Sequence, residues 1–484
     1  MKISSLFFLL FVCLMTTQTY ASTFTVNQSG DAGDLTCDAT CTLRDAVDDA
    51  NNVATDDTIN FAAGITNIIL TNEIVINGNN AGPLTITGPG ADVLTIDGGS
   101  GTNRIFSTSF GAVTTISGVT LTGGNGTGET FSGLGGAIFV RSGRLVLNSV
   151  HVTENILSGF DEGGGVFFNI GTNNQILNST FSNNSADDCG GFFNGGTLTV
   201  TNSTISGNTA RGVGGGFCGI DTTLRSVTLV NNSSDRDTGN GIYHYNGTLN
   251  MGNTIVAGWG NNRSVISTND STIITAGYNL ISNNTNVEAT FPAGTPNASN
   301  DIVGTSAAPV NPVLGPLQNN GGTTPTHALL FGSPAIDTGN NCVFLASCPS
   351  GVPSFALLTD QRGAGFTRSA DGNGDSIQIV DIGAFEVQLA PTAAAVGVGG
   401  RVITATGRGI QNVVVTMTDS EGNIRTARST GFGYYRFDDV MAGETYVLSV
   451  RGKRYNFTEQ TQVHSINEET NNIDFIGYSE KRLR

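Results

Sequence analysis

Carboxylates that recur at one position of an internal repeat are the residues best suited to chemistry in this 484-residue chain. Each copy contains a pair of glycines, and the second glycine serves as a reference point. Glu162 and Asp188 lie three residues before it, and Asp161 and Asp187 lie four before it; Arg211 lies five before it in the next copy. Such a cluster suits a calcium site, or an acid–base or nucleophile pair for polysaccharide cleavage. It equally suits a solvated ladder that Arg211 partly neutralises, and the three interpretations stay open.

A second candidate site is the loop Asp371-Gly372-Asn373-Gly374-Asp375, with Asp381 ten residues after its first carboxylate. Oxygen-bearing side chains at alternate positions, separated by glycines, allow a loop to curl around a hard cation. Serine and isoleucine replace the glycine and the glutamate of the usual twelve-residue pattern. Asp371, Asn373, Asp375 and Asp381 are therefore candidate calcium ligands, and a simple acidic turn is the alternative that stays open.

The repeat itself predicts the element that positions the first cluster. Its glycine pairs are followed by apolar runs, and between them an apolar residue precedes an asparagine by three places. The reference glycines are Gly136, Gly165, Gly191, Gly216 and Gly241; the apolar–asparagine pairs are Val152 with Asn155, Phe181 with Asn184, Ile205 with Asn208 and Leu229 with Asn232. Each copy holds about three short alternating strands and no helical periodicity. Because one copy cannot bury its apolar face alone, the copies must stack. The prediction is an all-β fold: a right-handed parallel β-helix over residues 61–310.

Two phrases of the repeat resemble those of a known family. Gly135-Gly136-Ala137-Ile138 and Phe181-Ser182-Asn183-Asn184 are similar to the GGA[ILV] and FxxN repeats of polymorphic outer-membrane proteins, which are bacterial surface β-helices. The resemblance implies a pectate-lyase-like solenoid. It also implies a location at the cell surface.

Comparison with β-helix enzymes favours binding over catalysis. Pectin-degrading hydrolases of this fold carry Asn-Thr-Asp, His-Gly and Arg-x-Lys phrases on adjacent coils besides an aspartate doublet such as Asp187-Asp188. The predicted solenoid contains none of these phrases, and no His-Gly dipeptide occurs in the chain. The sequence therefore predicts a non-catalytic adhesive or glycan-binding protein. The alternative is a lyase or glycoside hydrolase acting on an acidic polysaccharide.

Residues 22–60 are predicted to cap the solenoid. Thr42 and Asp45 form an approximate capping box, and the apolar residues that follow lie on one face of a helix ending near Asn51. We favour a cap over a recognition helix because solenoids need capped ends to remain soluble. The stretch Cys41-Thr42-Leu43-Arg44-Asp45-Ala46 resembles the CSLREA domain, found at the start of exported bacterial β-helix proteins.

Residues 311–388 are turn-rich. Their phrases include Gly332-Ser333-Pro334-Ala335-Ile336-Asp337, Asp360-Gln361-Arg362-Gly363 and Asp381-Ile382-Gly383-Ala384-Phe385-Glu386. In order and wording the segment is similar to the choice-of-anchor domain that follows β-helices in exported bacterial proteins. That resemblance implies a surface or secreted role.

After a linker at 389–396, residues 397–478 predict a small β-sandwich from alternating strands of suitable length and spacing. Gly400-Arg401-Val402, Gly433-Tyr434-Tyr435-Arg436-Phe437 and Gly443-Glu444-Thr445-Tyr446 resemble the carboxypeptidase regulatory-like domain. That domain is non-catalytic, so no peptidase activity follows from it. Basic residues among exposed aromatics in this module would suit an acidic glycan or a solvated face.

Composition predicts the location and excludes one class of partner. Residues 1–21 read as a secretory leader, with Lys2 before a short apolar run and Thr19-Tyr20-Ala21 as the cleavage site. No later run is long enough to span a bilayer. A formal net charge of −17 with 13% charged residues lacks the basic stripe that nucleic acids require. We expect a secreted or cell-surface protein, with an extracellular polysaccharide or cell-surface glycan as its partner; no cofactor is certain, and calcium is the one candidate.

An exported chain can oxidise its cysteines. Cys37 with Cys41, and Cys342 with Cys348, are close enough in sequence for local disulfides. Cys189 and Cys218 lie on adjacent copies, but two residues before and two residues after their reference glycines. In an extended strand that offset is about 13 Å, beyond disulfide reach. The sequence therefore predicts that Cys189 and Cys218 do not pair.

Overall fold

The computed structural model describes residues 21–79, 81–129, 131–159, 162–236, 238–258, 265–348, 355–388, 396–419, 422–441, 444–466 and 469–479. The chain divides into two compact units, Met1–Gln388 and Leu389–Arg484. The predicted leader at 1–21 lies almost wholly outside the described residues. Within the described part, no helix is long and apolar enough to cross a membrane.

The first unit is built almost entirely of short strands. In chain order its elements are β1 (Thr23–Val26), α1 (Leu43–Asn51), β2 (Asp57–Phe61), β3 (Asn67–Ile69), β4 (Ile74–Asn77), β5 (Leu84–Thr87), β6 (Thr95–Asp97), β7 (Phe106–Ser109), β8 (Val113–Ser117), β9 (Thr120–Thr122), β10 (Ile138–Val140), β11 (Arg144–Asn148), β12 (His151–Thr153), β13 (Val166–Phe168), β14 (Asn174–Leu177), β15 (Thr180–Ser182), β16 (Ser185–Ala186), β17 (Phe192–Thr201), β18 (Thr204–Ser206), β19 (Thr209–Ala210), β20 (Phe217–Arg225), β21 (Thr228–Val230), β22 (Ser233–Ser234), β23 (Ile242–Tyr245), β24 (Thr248–Gly252), β25 (Ile255–Ala257), β26 (Ile266–Asn269), β27 (Thr272–Thr275), β28 (Leu280–Ile281), β29 (Ile302–Val303), β30 (Leu314–Gln318), β31 (Thr326–Leu329) and α2 (Cys342–Leu345).

These strands stack in parallel, coil upon coil, which confirms the predicted parallel β-solenoid. Face A contains β4, β7, β10, β13, β23, β26 and the first halves of β17 and β20; face B contains β1, β2, β5, β8, β11, β14, β24, β27 and the second halves of β17 and β20. Face C is a ten-stranded sheet of β3, β6, β9, β12, β15, β18, β21, β25, β28 and β29. The inward side chains form one continuous core, in which the rings of Phe192 and Phe217 stack with their centroids 4.7 Å apart.

The recurring asparagines form a buried ladder at one corner of the solenoid. Asn155 donates to Asn184, Asn184 to Asn208 and Asn208 to Asn232, each from Nδ2 to Oδ1 at 2.9 Å. The chain of amides satisfies polar groups that would otherwise be costly inside an apolar core. The spacing of this phrase therefore encodes a structural element.

Counting residues from the second glycine of each pair aligns the first copy of the repeat with the second incorrectly by one residue. Ile138 pairs with Val166, so Ala137, and not Gly136, is level with Gly165. Val166 then pairs with Phe192 and Phe192 with Phe217, as the count predicts. The mismatch arises because the second copy has three successive glycines, Gly163-Gly164-Gly165, whereas the first has two followed by Ala137.

Helix α1 confirms the predicted cap element. Thr42 and Asp45 form a reciprocal capping box, and Leu43, Ala46 and Val47 are buried in the core of the first coils. Strand β1 pairs in parallel with β2, so solenoid strands begin inside the segment that the sequence assigned to the cap. The predicted disulfide between Cys37 and Cys41 is present beside the helix, with the Cα atoms 4.4 Å apart.

Residues after β29 turn back and cover the outside of face C. The Gln361 side chain accepts from Thr204 Oγ1 at 2.6 Å and donates to Thr180 Oγ1 at 2.7 Å. His327 Nε2 lies 2.8 Å from Ser206 Oγ, and the backbone N–H of Ala384 donates to Thr228 Oγ1. The turn-rich segment is thus a lateral cover of the solenoid, and Cys342–Cys348 closes its α2 turn as predicted.

The second unit has two four-stranded sheets around its own apolar core. Its strands are β32 (Val396–Thr404), β33 (Val414–Thr418), β34 (Ile424–Arg428), β35 (Tyr434–Val440), β36 (Glu444–Arg451), β37 (Tyr455–Phe457), β38 (Thr461–Ile466) and β39 (Phe475–Ser479). One sheet runs β35-β32-β39-β37 and the other β34-β33-β36-β38. Strands β34 and β35 are therefore edge strands.

Candidate functional site: an aromatic column with an acidic rim

An outward column of rings follows the coils of face A. Phe139 pairs with Phe167, Phe167 with Phe193, Phe193 with Cys218 and Cys218 with Tyr243. Because their neighbours in sequence point into the core, strand alternation sends these side chains to the outer side. We call Phe139, Phe167, Phe193, Tyr243 and Tyr245 the aromatic column.

The rings of the column contact one another along the solenoid. Phe167 and Phe193 stack with centroids 4.4 Å apart, and Phe193 lies 6.1 Å from Tyr245 across the level of Cys218. Phe139 and Phe167 are buried under neighbouring loops, whereas Phe193, Tyr243 and Tyr245 are partly exposed. The column therefore has a covered end and an open end.

The predicted carboxylates lie beside this column. Glu162 and Asp188 are register partners on neighbouring coils, as the repeat predicts. Asp188 Oδ1 accepts the backbone N–H of Val213 at 2.7 Å, and Asp187 Oδ1 lies 3.0 Å from Arg211 Nε. We call Glu162, Asp187 and Asp188 the acidic rim. Asp161, the fourth predicted carboxylate, lies outside the described residues.

Electrostatics tie the rim to the open end of the column. Burial, and then the neighbouring Asp188 carboxylate, raise the pKa of Glu162. Burial also raises the pKa of Tyr245, and the Glu162 carboxylate and Tyr243 add to that rise. Tyr245 thus keeps its phenolic proton at neutral pH and can donate a hydrogen bond next to a carboxylate.

Cys189 and Cys218 form a disulfide with Cα atoms 5.1 Å apart, so the prediction that they do not pair is wrong. Cys189 is level with Gly214, and both adopt left-handed backbone angles, with φ of 63° and 65°. The chain turns a corner there. This turn brings Cys189, just before one glycine pair, against Cys218, two residues after the next pair. A Cβ on Gly214 would lie 2.5 Å from Cys218 Sγ. The residue spacing of an extended strand therefore does not give the distance between Cys189 and Cys218 across this corner.

The disulfide links the two parts of the candidate site. Cys218 stands in the outward column between Phe193 and Tyr243, and Cys189 directly follows Asp188. The covalent bond therefore holds the acidic rim against the aromatic column. Preorganisation of this kind lowers the entropy cost of binding.

A buried ion pair anchors the loop over the covered end. Arg104 Nη1 lies 2.5 Å from Glu73 Oε1, and its other nitrogens donate to backbone oxygens of Gly126, Phe131 and Leu134. The guanidinium carbon also lies 5.2 Å from the centre of the Phe139 ring. Arg104 therefore fixes the loop that closes one end of the column.

The sequence prediction missed the aromatic column, although its signal was present. Phe167, Phe193, Cys218 and Tyr243 all lie two residues after a reference glycine, where alternation demands an outward side chain. Aromatic residues at a constant outward position mark an exposed stack. The prediction used strand alternation for the inward residues and did not consider the outward residues at this position.

The loop predicted to bind calcium is ordered by its own hydrogen bonds. Asp371 accepts the N–H groups of Gly374 and Ser376, and Asn373 Oδ1 accepts that of Asp375. Asp381 is fully buried, and its two oxygens accept other backbone N–H groups, from Asp337 and Val387.

Asp337, rather than Asp381, faces this loop. Its Oδ1 accepts the N–H of Gly372, and burial raises its pKa, with Asp371 and Asp375 adding to the rise. In the described part of the chain, no three histidine, cysteine, aspartate or glutamate side chains are grouped so as to hold a metal ion. In this structure the Asp371 and Asp375 carboxylates accept backbone N–H groups of their own loop.

The fold and the face together define a parallel β-solenoid with an outward aromatic and acidic strip. Residues 397–476 match the carboxypeptidase regulatory-like domain family, in agreement with the two-sheet module at those positions. A comparison with curated proteins finds no match for the chain. The C-terminal module is thus a generic β-sandwich, and the candidate site belongs to the solenoid.

Proposed function

We propose that the chain is a secreted or cell-surface, non-catalytic β-helix protein that binds an extended extracellular glycan at the open end of the aromatic column. The observation that carries the proposal is the row of partly exposed rings, Phe193, Tyr245 and Tyr243, beside the acidic rim. Aromatic faces give a rigid apolar platform with little conformational entropy to lose. Sugar rings present apolar C–H faces and peripheral hydroxyls, which such a platform complements.

The polar groups around the platform suit hydroxyl recognition. The Glu162 and Asp188 carboxylates are acceptors, and the Tyr245 hydroxyl and the Arg211 guanidinium are donors. Arg211 is more than half exposed even though it pairs with Asp187 and donates to the Gly159 carbonyl, so part of its guanidinium faces solvent. A few placed polar groups around apolar rings are the usual composition of a ligand site.

Binding is preferred over catalysis because of how the acidic residues are engaged. Asp187 pairs with Arg211, and Asp188 caps the N–H of Val213. The solenoid contains no lysine, and burial raises the pKa of Tyr245, so neither a lysine nor Tyr245 supplies a base beside Glu162. The fold alone does not decide between the two functions.

A glycan-array screen of the exported form, with and without calcium, tests the proposal. We expect retention of one or more neutral or charged polysaccharides by the parent protein and its loss in a Tyr243→Ala/Tyr245→Ala variant. Phe331→Ala is the matched control, because Phe331 is fully exposed on the lateral cover. Absence of any retained glycan, or equal retention by the platform variant, would count against the proposal.

Glycan cleavage is the second candidate, and the raised pKa of Glu162 is the observation that favours it. A carboxyl group whose pKa is raised by burial beside a second carboxyl group is the pattern of a general acid in glycoside hydrolysis. Incubation with polygalacturonate and alginate would show reducing ends or unsaturated products if it is correct. These products should disappear in both Glu162→Gln and Asp188→Ala. No product above a no-protein blank would remove this candidate.

A further inference from the structure

The C-terminal module has a groove between the free edges of its two sheets. Among the described strands, β34 pairs only with β33 and β35 only with β32, so one side of each has no strand partner. The Arg425 side chain of β34 donates to the backbone carbonyls of Asp438 and Asp439 at the far end of β35. The groove between the two strands has a volume of about 580 Å³. The residues that line it are Gly400, Thr426, Ala427, Arg428, Thr430, Tyr434, Tyr435, Arg436 and Asn471.

The charged residues in the described lining of the groove are two arginines, one of which is paired with carboxylates. That lining includes no carboxylate. Arg428 is exposed on β34, and no described acidic side chain pairs with it. Arg436 pairs with Asp438 and Glu469, at 2.6 and 2.9 Å, but these side chains are about half exposed or more, so a bound carboxylate can replace them at little cost. Arginine suits this role because its planar fork binds carboxylates through two parallel hydrogen bonds.

An aromatic ring completes one wall of the groove. Tyr434 is exposed, and the guanidinium carbon of Arg401 lies 4.9 Å from the centre of its ring. The contact holds the ring in place beside the free edge of β35. The groove therefore offers a flat aromatic surface in the same lining as Arg428 and Arg436.

We propose that this groove binds an extended acidic peptide segment of a partner protein, which adds to β34 as a further strand. A free strand edge presents N–H and C=O groups at the spacing of another peptide backbone. Alternate side chains of the added strand then face the groove, where Arg428 and Arg436 select carboxylates. A peptide backbone matches the edge, whereas a glycan matches only the arginines and Tyr434.

The test measures binding to the full chain by fluorescence polarisation. The probe is a labelled peptide of alternating glutamate and threonine, and a lysine–threonine peptide of equal length is its control. We expect the acidic probe to bind and the basic one not to bind. Arg428→Glu should weaken binding at least about tenfold, and Tyr434→Ala should weaken it several-fold. Lys453→Glu, which makes the same charge change on an exposed turn outside the groove, should leave the affinity unchanged.

A second probe isolates the backbone contribution. N-methylation at alternate residues of the acidic peptide removes N–H donors without changing its charge, so strand addition predicts loss of binding. Failure of the intact chain to bind the acidic peptide would overturn the proposal, as would equal binding by Arg428→Glu or by the methylated peptide. Polygalacturonate binding that Arg428→Glu abolishes, without peptide binding, would assign the groove to an anionic glycan instead.

Discussion

Asp381 and Glu386 show how burial sets the charge of individual residues in the lateral cover. Both side chains are fully buried. Burial raises the pKa of Asp381 to about 7 and that of Glu386 to about 9, although Arg368 and backbone N–H groups oppose the rise. In solution these carboxyls ionise near pH 4. The raised pKa favours the neutral form of Glu386 at physiological pH, and its two oxygens accept the backbone N–H groups of Ala370 and Asp381.

These two groups predict that stability falls as pH rises. A group whose pKa is raised in the folded state contributes its full stabilisation when the pH is below its pKa in the unfolded state. That contribution is lost as the pH rises through its pKa in the folded state. We expect the unfolding temperature to fall as pH rises from about 4 to about 9. Ionisation of both groups contributes to the fall up to about pH 7, and ionisation of Glu386 causes most of it above pH 7. Thermal unfolding across this range should show a smaller decline for Glu386→Gln. Glu288→Gln, at an exposed site, should keep the parent's slope; equal slopes in all three proteins would contradict the assignment.

Calcium binding by Asp371, Asn373 and Asp375 stays a prediction. If the loop binds the ion, millimolar calcium should raise the unfolding temperature by a few degrees, because a ligand that binds the folded state stabilises it. Asp371→Ala combined with Asp375→Ala should abolish the rise. Asp381→Asn tests whether that buried carboxyl takes part, and its hydrogen bonds to backbone predict that the calcium-induced rise persists. An unchanged unfolding temperature in the parent protein would end the hypothesis.

At the scale of elements, the Cys189–Cys218 disulfide joins consecutive coils where face A meets the acidic rim. It closes a loop of 29 residues, and closure of such a loop stabilises a fold by about 3 kcal/mol. We expect a Cys189→Ala/Cys218→Ala variant to lose roughly that free energy of unfolding in a denaturant titration and to bind glycan more weakly. The Cys342→Ala/Cys348→Ala variant is the control, since that bond closes a short turn away from the column. Equal glycan affinity without the Cys189–Cys218 bond would argue against its role in preorganisation.

Elements determined by local pattern were predictable from sequence. The capping box at Thr42 and the apolar face of α1 follow from residues a few places apart, and the stacked asparagines from a regular repeat. The Cys189–Cys218 bond depends on left-handed turns that strand spacing does not encode. Docking of Gln361 between Thr180 and Thr204 depends on contacts between residues more than 150 positions apart. Such contacts leave no periodic signal in the sequence.

At the scale of the whole molecule, the solenoid exposes its faces unequally. Face C is covered by the lateral segment through Gln361, His327 and Ala384. Face A keeps the open end of the aromatic column, with the acidic rim beside it. The C-terminal unit has its own core and its own groove. The two binding surfaces that we propose, one for a glycan and one for an acidic peptide, therefore belong to different units of the chain.

The most direct test of the central proposal is calorimetric titration of the full chain with the best glycan from the array. Removing two stacking rings, at about 0.5–1.5 kcal/mol each, predicts a roughly tenfold rise in Kd for Tyr243→Ala/Tyr245→Ala. Phe331→Ala should bind like the parent protein. An unchanged Kd in the Tyr243→Ala/Tyr245→Ala variant, or an equal rise in Phe331→Ala, would contradict glycan binding at the aromatic column.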